Sequence, residues 1–515
     1  MALPPHLQSL LSPQAYPHPV KDVRLVETHI SWLLLTGELV YKIKRPVHFP
    51  FVDLRSAEHR RFLCHEEVRL NRRFAPTLYL GVSQITADNN GVQIDGSGPV
   101  LESSVRMRQF DPGEQLDHLL ERRALQPTEL FEFGRELARI HATLPAADAS
   151  HHWGQPQAVR AMFLRNLDEC AGVLGNNVPP ALRASLDETA RRAAVWMAHR
   201  RSRHHVRECH GDLHCSNIVK LEGRLCAFDG LEFDPALRWI DVADEIAFLL
   251  ADLAPYNDPL LQQAFLSGYL LESGDYDAAR YLFLYQVHRL LVRAKIVSLS
   301  GEGPPASAFV VAAQRMLGPK RPVLILMSGL SGSGKSWLAR QLAPTLRAIQ
   351  LRSDIERKRL TGSNIHARAA SAPGTGLYSA EATERLQVSL LADADSLLSG
   401  GMTTIVDATF LRWNHRRAFL NLAARLGVPV RIVRCDAALD VLRARIDERA
   451  TRGNDPSDAD SSVLAWQLQH DELFDSGESG VLVRVSSEDP QMLQTARQQL
   501  EPLIERFAPF DSDPA

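Results

Sequence analysis

Apolar and polar positions follow two rhythms along the chain. Before residue 110, short apolar runs broken by turn residues dominate. VRLVET, SWLLLTG and ELVYKIKR predict three successive strands, with TGE as a hairpin turn. A helical period covers roughly Ser56–Phe74, and further strands are expected near LYLGV, GVQID and SSVRMRQF. From Leu116 onward the pattern is mostly helical. The rhythm changes after residue 320, where strands and helices alternate. PVLILMSGL, AIQLRSD, TTIVDATF, PVRIVRCD and VLVRVSSED read as strands. Helical stretches separate them: GKSWLARQLAPTL, Ser379–Leu398, NHRRAFLNLAARLG and VLRARIDERA, with a final helix at the end. Short Val/Ile/Leu-rich strands spaced by helices predict a parallel sheet covered on both faces.

The punctuation between the two rhythms is SGEGPP at 300–305 and GPKRP at 318–322, flanking the helical AFVVAAQRML. The expected division is therefore 1–318 and 319–515. The fold class predicted is mixed, an α+β unit followed by a parallel-sheet α/β unit.

Composition narrows the function classes. At 515 residues, with 45% hydrophobic and 23% charged, the chain has ample core material. Its net charge is only −3, and residues 319–515 hold as many basic as acidic side chains, so no global basic field marks a non-specific nucleic-acid binder. None of the six cysteines forms a CxxC pair, and they read as reduced, mostly buried thiols. No apolar run approaches the ~20 residues of a membrane span. The first residues lack a charged segment followed by an apolar core. The expectation is a cytoplasmic protein without a membrane partner.

Gly329-Leu-Ser-Gly-Ser-Gly334-Lys335-Ser336 fits GxxxxGK[ST] between a predicted strand and a predicted helix, the context that makes this pattern a phosphate cradle. Gly329, Ser331, Gly332, Ser333 and Gly334 let backbone N–H groups turn inward, Lys335 is suited to β/γ-phosphates, and Ser336 to Mg²⁺. Asp354 and Arg357, in RSDIERK, follow the second strand of this unit, where ligands bind in such sheets. Asp354 can accept the proton of an attacking hydroxyl and Arg357 can hold an acceptor; the plain alternative is a helix N-cap. Asp407 ends the third strand and can organise Mg²⁺ or the acceptor. Arg445 and Arg449 share a helix face, with Arg443 to one side, before the polar TRGNDPSDADSSV. Such a segment suits a closing lid, although a solvated salt-bridging helix is the plainer alternative.

HGDLHCSN (His210–Asn217) places Asp212 and Asn217 five apart, the spacing with which a catalytic-loop Asp takes a hydroxyl proton and an Asn binds Mg²⁺. Asp229 ends the apolar LCAFD, where a second metal-binding carboxylate belongs. Lys42 in LVYKIK is placed to meet phosphates, with Lys44 a rival on the same face. Glu67 in CHEEVRLN can pair with the lysine, with Glu66 its competitor. His210 shapes the loop, while His141 and His214 read as packing residues.

The motifs carry two resemblances. HGDLHCSN with AFDGLEFDP, over about 20–300, resembles the aminoglycoside-phosphotransferase family, which implies a bilobal protein-kinase-like fold and phosphorylation of small molecules. The turn ETHIS lacks the glycines with which protein kinases cover phosphates. GLSGSGKS, RSDIERK, GLYS, IVDATF, RARIDER and DPSDAD, over about 319–490, resemble P-loop kinases of the zeta-toxin, polynucleotide-kinase and chloramphenicol-phosphotransferase group. That likeness implies Asp354 as general base and lid arginines, here Arg445 and Arg449, at the transferred phosphate. The joint expectation is a tandem ATP- and Mg²⁺-dependent phosphotransferase acting on a small-molecule hydroxyl. The rivals are a regulatory kinase-like region, a nucleic-acid 5′-hydroxyl kinase, disfavoured by the neutral charge, and a non-transferring ATPase switch.

Overall fold

A computed structural model describes all 515 residues except 1–2, 50–51, 89–90, 149, 257, 302–304, 366–378, 453–460 and 505–515. The chain packs into two compact units. The first comprises 1–129, 136–169 and 186–256, and the second 130–135, 170–185 and 257–515.

The first unit opens with β1 (Arg24–Glu27), β2 (Ser31–Leu35) and β3 (Leu39–Lys44), then helix α1 (Ala57–Asn71). Strands β4 (Tyr79–Asp88), β5 (Gly91–Ile94) and β6 (Val100–Arg108) complete an antiparallel sheet in the order β1-β2-β3-β6-β4-β5. The predicted TGE hairpin is present, with Gly37 at φ +98°. Between β1 and β2 the turn ETHIS is tight rather than a covering loop: Ser31 N–H donates to Thr28 Oγ1 at 2.9 Å and Thr28 N–H to Ser31 O at 2.9 Å. A threonine hydroxyl thus closes a turn that has no glycine. Ser56 caps α1, whose buried face includes Leu63, Glu67, Val68 and Asn71. Later in this unit come short strands β7 (Val206–Glu208), β8 (Ile218–Leu221), β9 (Arg224–Ala227) and β10 (Trp239–Asp241). Helix α2 (Val242–Leu253) follows; every one of its residues is buried, including Asp244, Glu245 and Asp252.

The second unit includes helix α3 (Pro259–Ser273) and a parallel sheet of β11 (Leu324–Ser328), β12 (Ile349–Arg352), β13 (Thr404–Asp407), β14 (Val430–Asp436) and β15 (Leu482–Ser486). The order is β12-β13-β11-β14-β15, with all pairs parallel. β11 is central and buried along its whole length, as its unbroken apolar run requires. Its helices include α4 (Lys335–Thr345), α5 (Ser353–Leu360), α6 (Ala380–Ser399), α7 (Trp413–Leu426), α8 (Leu439–Arg452) and α9 (Ser461–Gln469), and the predicted final helix is present at Met492–Leu500. The carboxyl ends of β11, β12 and β13 carry the phosphate loop, the Asp354 helix and Asp407. No helix among the described residues is long and apolar enough to cross a membrane.

Candidate active sites

In the first unit, alternation along β3 points Lys42 and Lys44 to one face, both buried. Glu67 of α1 is fully buried opposite them. Its Oε1 lies 2.8 Å from Lys42 Nζ and its Oε2 2.7 Å from Lys44 Nζ. Lys42 Nζ also donates to Asp229 Oδ1 at 2.5 Å, while Lys44 pairs with Glu232. Burial opposes each of these charges. The two lysines nevertheless hold Glu67 below the usual carboxylate range, and Asp229 and Glu67 hold Lys42 above the usual lysine range. Both lysines therefore engage Glu67, but only Lys42 reaches Asp229. Glu66 pairs instead with Arg69 at 2.8 Å.

The HGDLHCSN loop is held from several sides. The His210 ring lies edge-on to Phe74, with Nε2 2.8 Å from the Phe228 carbonyl, and burial lowers its pKa to about 4. It is a neutral loop anchor. Glu245 accepts the N–H groups of His210 (2.7 Å) and Gly211 (3.0 Å), and Asp252 accepts that of Cys215 (2.8 Å). Asn217 Nδ2 donates to the backbone oxygen (3.0 Å) and Oδ2 (3.1 Å) of Asp212. His214, expected to be a packing residue, has Nε2 3.4 Å from Asp212 Oδ2 as well as a ring contact with Phe248. Phe228 N–H donates to Asn217 O at 2.9 Å, which ties this loop to the Asp229 strand end. Asp229 adopts φ +62°, a left-handed backbone that Asp tolerates better than most residues. Its N–H donates to Tyr79 Oη at 3.0 Å.

Beneath the loop, His141, Cys209 and Glu245 bring ligand-type atoms within 4.8 Å of one another. Both Glu245 oxygens already accept loop N–H groups, and burial keeps the Cys209 thiol protonated. That chemistry suits a structural floor better than a metal centre.

In the second unit, the phosphate loop leaves β11 and enters α4. Gly332 has φ +83°, and a Cβ there would sit 2.8 Å from Leu442 O; Gly334, the N-cap of α4, has φ +82°. Only glycine fits this backbone without strain. Gly329 and Ser331 lie in the same turn, and Lys335 Nζ rests 3.3 Å from Leu330 O. The Ser333 hydroxyl is buried with no hydrogen-bond partner among the described residues. An orphaned donor inside a glycine-lined turn at a helix N-terminus fits a phosphate ligand.

Ser336 Oγ donates to Asp407 Oδ1 at 3.0 Å, and Gln350 Nε2 to Asp407 Oδ2 at 3.0 Å. Burial raises the Asp407 carboxyl above its usual range, against the pull of Arg352 and Lys335. Arg352 Nε is 3.9 Å from Asp407 Oδ2. Asp354 and Arg357 stand half-buried in the first turns of α5. Arg445 donates to Gly332 O (3.2 Å) and to Ser487 Oγ (2.6 Å), so it braces the loop. Arg443 is exposed. The Arg449 side chain lies outside the described residues, as do GLYS and most of the polar segment expected to form a lid.

Several site residues escape sequence reasoning: Lys44's second partner Glu232, Glu245, Gln350, Arg352, Ser487 and Gln467. For Glu245 a signal existed, since the three acids of the mainly apolar VADEIAFLLADL, Asp244, Glu245 and Asp252, have to find partners once buried.

The phosphotransferase enzyme family profile matches residues 51–282, and an AAA domain profile matches 324–473. Uncharacterized proteins of Mycobacterium bovis and of two strains of Mycobacterium tuberculosis are 30% identical to it over 473 residues, spanning 89% of this chain and 93% of theirs. The chain belongs to their family. It joins a kinase-like phosphotransferase region to a P-loop kinase-like region, in that order, and is an enzyme of the kinase/phosphotransferase type. Families of this type use ATP. Among solved structures, a gluconokinase from Sinorhizobium meliloti is 20% identical, covering 36% of this chain and 95% of its own, with a TM-score of 0.26. A choline kinase from Cryptosporidium parvum is 11% identical, covering 57% and 87%, with a TM-score of 0.36.

Proposed function

We propose that the chain is a tandem ATP-dependent phosphotransferase, divided near 318–320, with a nucleotide and Mg²⁺ site in each part and a small-molecule hydroxyl as acceptor. The observation that carries this reading is the intact polar set of the first site. Lys42 is bound to both Glu67 and Asp229 while Asn217 steadies Asp212; the second unit adds a glycine-rich loop with Ser336 bonded to Asp407. A region kept only for regulation has no need of all four groups.

In the first site Lys42 holds phosphate, with Glu67 fixing its direction; Asn217 and Asp229 hold the metal ion. Asp212 takes the acceptor's hydroxyl proton, and Glu245 keeps its loop in place. In the second site the N–H groups of Gly332, Gly334, Lys335 and Ser336, the Ser333 hydroxyl and the Lys335 ammonium hold phosphate, while the Ser331 N–H is taken by Gln467. Ser336 and Asp407 hold the metal ion. Asp354 accepts the hydroxyl proton, Arg357 steadies the acceptor, and Arg445 and Arg449 neutralise charge. When bound, Mg²⁺-ATP supplies the γ-phosphoryl group that passes to the acceptor oxygen, with ADP as the leaving product. The protein's part is positioning and charge neutralisation.

The test is transfer of labelled γ-phosphate to a panel of sugars, nucleosides, amino alcohols and oligonucleotides. Asp212→Ala and Asp354→Ala should each lower their own reaction by ~10²–10⁴-fold, the range for general acid–base catalysis. Transfer that survives Asp212→Ala unchanged but disappears with Lys335→Ala would leave the first region a regulatory role only.

A further inference from the structure

The phosphate loop has one contact that no motif assigns. Ser331 N–H donates to Gln467 Oε1 at 2.8 Å, and Gln467 is buried to 6% exposure. Gln467 sits on α9, which begins at Ser461, directly after the polar segment that follows α8. An apolar cluster fixes this approach: Leu464 of α9 packs with Leu442 and Ile446 of α8, and Leu330 of the loop packs against the cluster. Gln467 follows Leu464 by three residues and so shares its helix face. The packing that seats the helix also delivers the carboxamide to the loop.

The choice of side chain is informative. A carboxylate would accept the Ser331 N–H more strongly, since charge-assisted hydrogen bonds are the stronger kind. It would also place a negative charge beside a cradle built for phosphate. A carboxamide accepts the same N–H through oxygen and keeps two N–H donors on nitrogen. Among the described residues, the hydrogen bond of the Gln467 carboxamide is the one its oxygen accepts, which leaves the N–H groups on Nε2 beside the loop for a ligand.

We infer that Gln467 is a nucleotide-positioning residue of the P-loop site: its oxygen sets the Ser331 amide, and its nitrogen donates to a phosphate oxygen of the bound nucleotide. This rests on the proposed nucleotide site in the second unit. It adds the helix after the polar segment to the phosphate-binding apparatus, so that nucleotide occupancy and the seating of α9 depend on each other.

The experiment is calorimetric titration of the full chain with Mg²⁺-ATP, using Lys335→Ala to isolate the P-loop component. Gln467→Leu removes both functions, and Gln467→Glu keeps the acceptor but replaces the donors with a charge. Loss of a charge-assisted hydrogen bond predicts about 10- to 100-fold weaker ATP binding at that site in Gln467→Leu. Gln467→Glu should be weaker still, with the Lys335-insensitive component untouched. If Gln467→Glu binds ATP as tightly as the wild type, the residue only braces the loop and the inference falls. If Lys335→Ala leaves the isotherm unchanged, the underlying site assignment falls instead.

Discussion

Replacing Lys44 by Met would separate the two buried lysines of β3. Lys44 Nζ bonds Glu67 Oε2 at 2.7 Å and also pairs with Glu232; its side chain is 1% exposed, and that of Glu232 is 6% exposed. Lys44→Met leaves Glu67 with Lys42 but strips Glu232 of its bonded cation. Removing one member of a buried pair costs about 3–5 kcal/mol, because the remaining charge stays buried and uncompensated. At about 2–4 °C per kcal/mol for a unit of this size, the thermal midpoint of the first unit should fall by roughly 10 °C. The variant has a relief route. Burial already raises the Glu232 carboxyl, and without Lys44 it rises further. A carboxyl whose folded pKa exceeds its unfolded value favours the folded state at low pH and loses that advantage as pH rises. The deficit should therefore shrink between pH 8 and pH 5. Lys44→Met combined with Glu232→Leu removes the pair together and should recover most of the loss, since apolar replacement of a buried pair is often neutral. The assay is thermal unfolding of the full chain followed by tryptophan fluorescence. The double variant should keep nucleotide binding at the first site, which Lys42→Met should lose. A single variant as stable as the wild type, or a double variant worse than the single, would mean that the Lys44–Glu232 pair does not hold this unit together.

Two further predictions concern the second unit. Asp407→Asn removes the charge beside Ser336 and should raise the Mg²⁺ concentration needed for half-maximal transfer by ~10–100-fold, read from metal titrations of the P-loop reaction. Asp393, half-buried on α6, is pushed up to about 8, first by burial and then by Glu356. Its folded pKa lies above its unfolded value, so this group's contribution to stability declines as pH rises from about 4 to about 8 and is flat beyond. Asp393→Asn should erase that decline and unfold at a higher temperature than the wild type at pH 8 but not at pH 4.

Local signals made much of this legible in the sequence. Val/Ile/Leu runs punctuated by helices fixed the parallel sheet, and the glycine spacing of GLSGSGKS located the cradle. The five-residue gap from Asp212 to Asn217 placed both groups on one loop. Residues whose meaning depends on distant partners stayed hidden. Period two put Lys42 and Lys44 on the same face, but only Asp229 and Glu232, nearly two hundred residues away, give them different partners. Gln467 looks like any polar residue in SSVLAWQLQH until Ser331, more than a hundred residues earlier, is brought beside it. Arg359 likewise lies in a solvated-looking ERKRL run. It donates to the Leu271 (2.6 Å) and Glu272 (3.1 Å) carbonyls at the end of α3 and to Glu356 (2.9 Å), which ties the Asp354 helix down. These are long-range pairings that propensity and periodicity do not encode.

The proposed function requires two separate nucleotide sites on one chain. Equilibrium titration of the full chain with a non-hydrolysable ATP analogue and Mg²⁺ tests it most directly. Two equivalents should bind to the wild type, one to Lys335→Ala and one to Asp229→Asn, with the lost component differing between the variants. A wild-type stoichiometry of one, or two variants that abolish the same component, would contradict it.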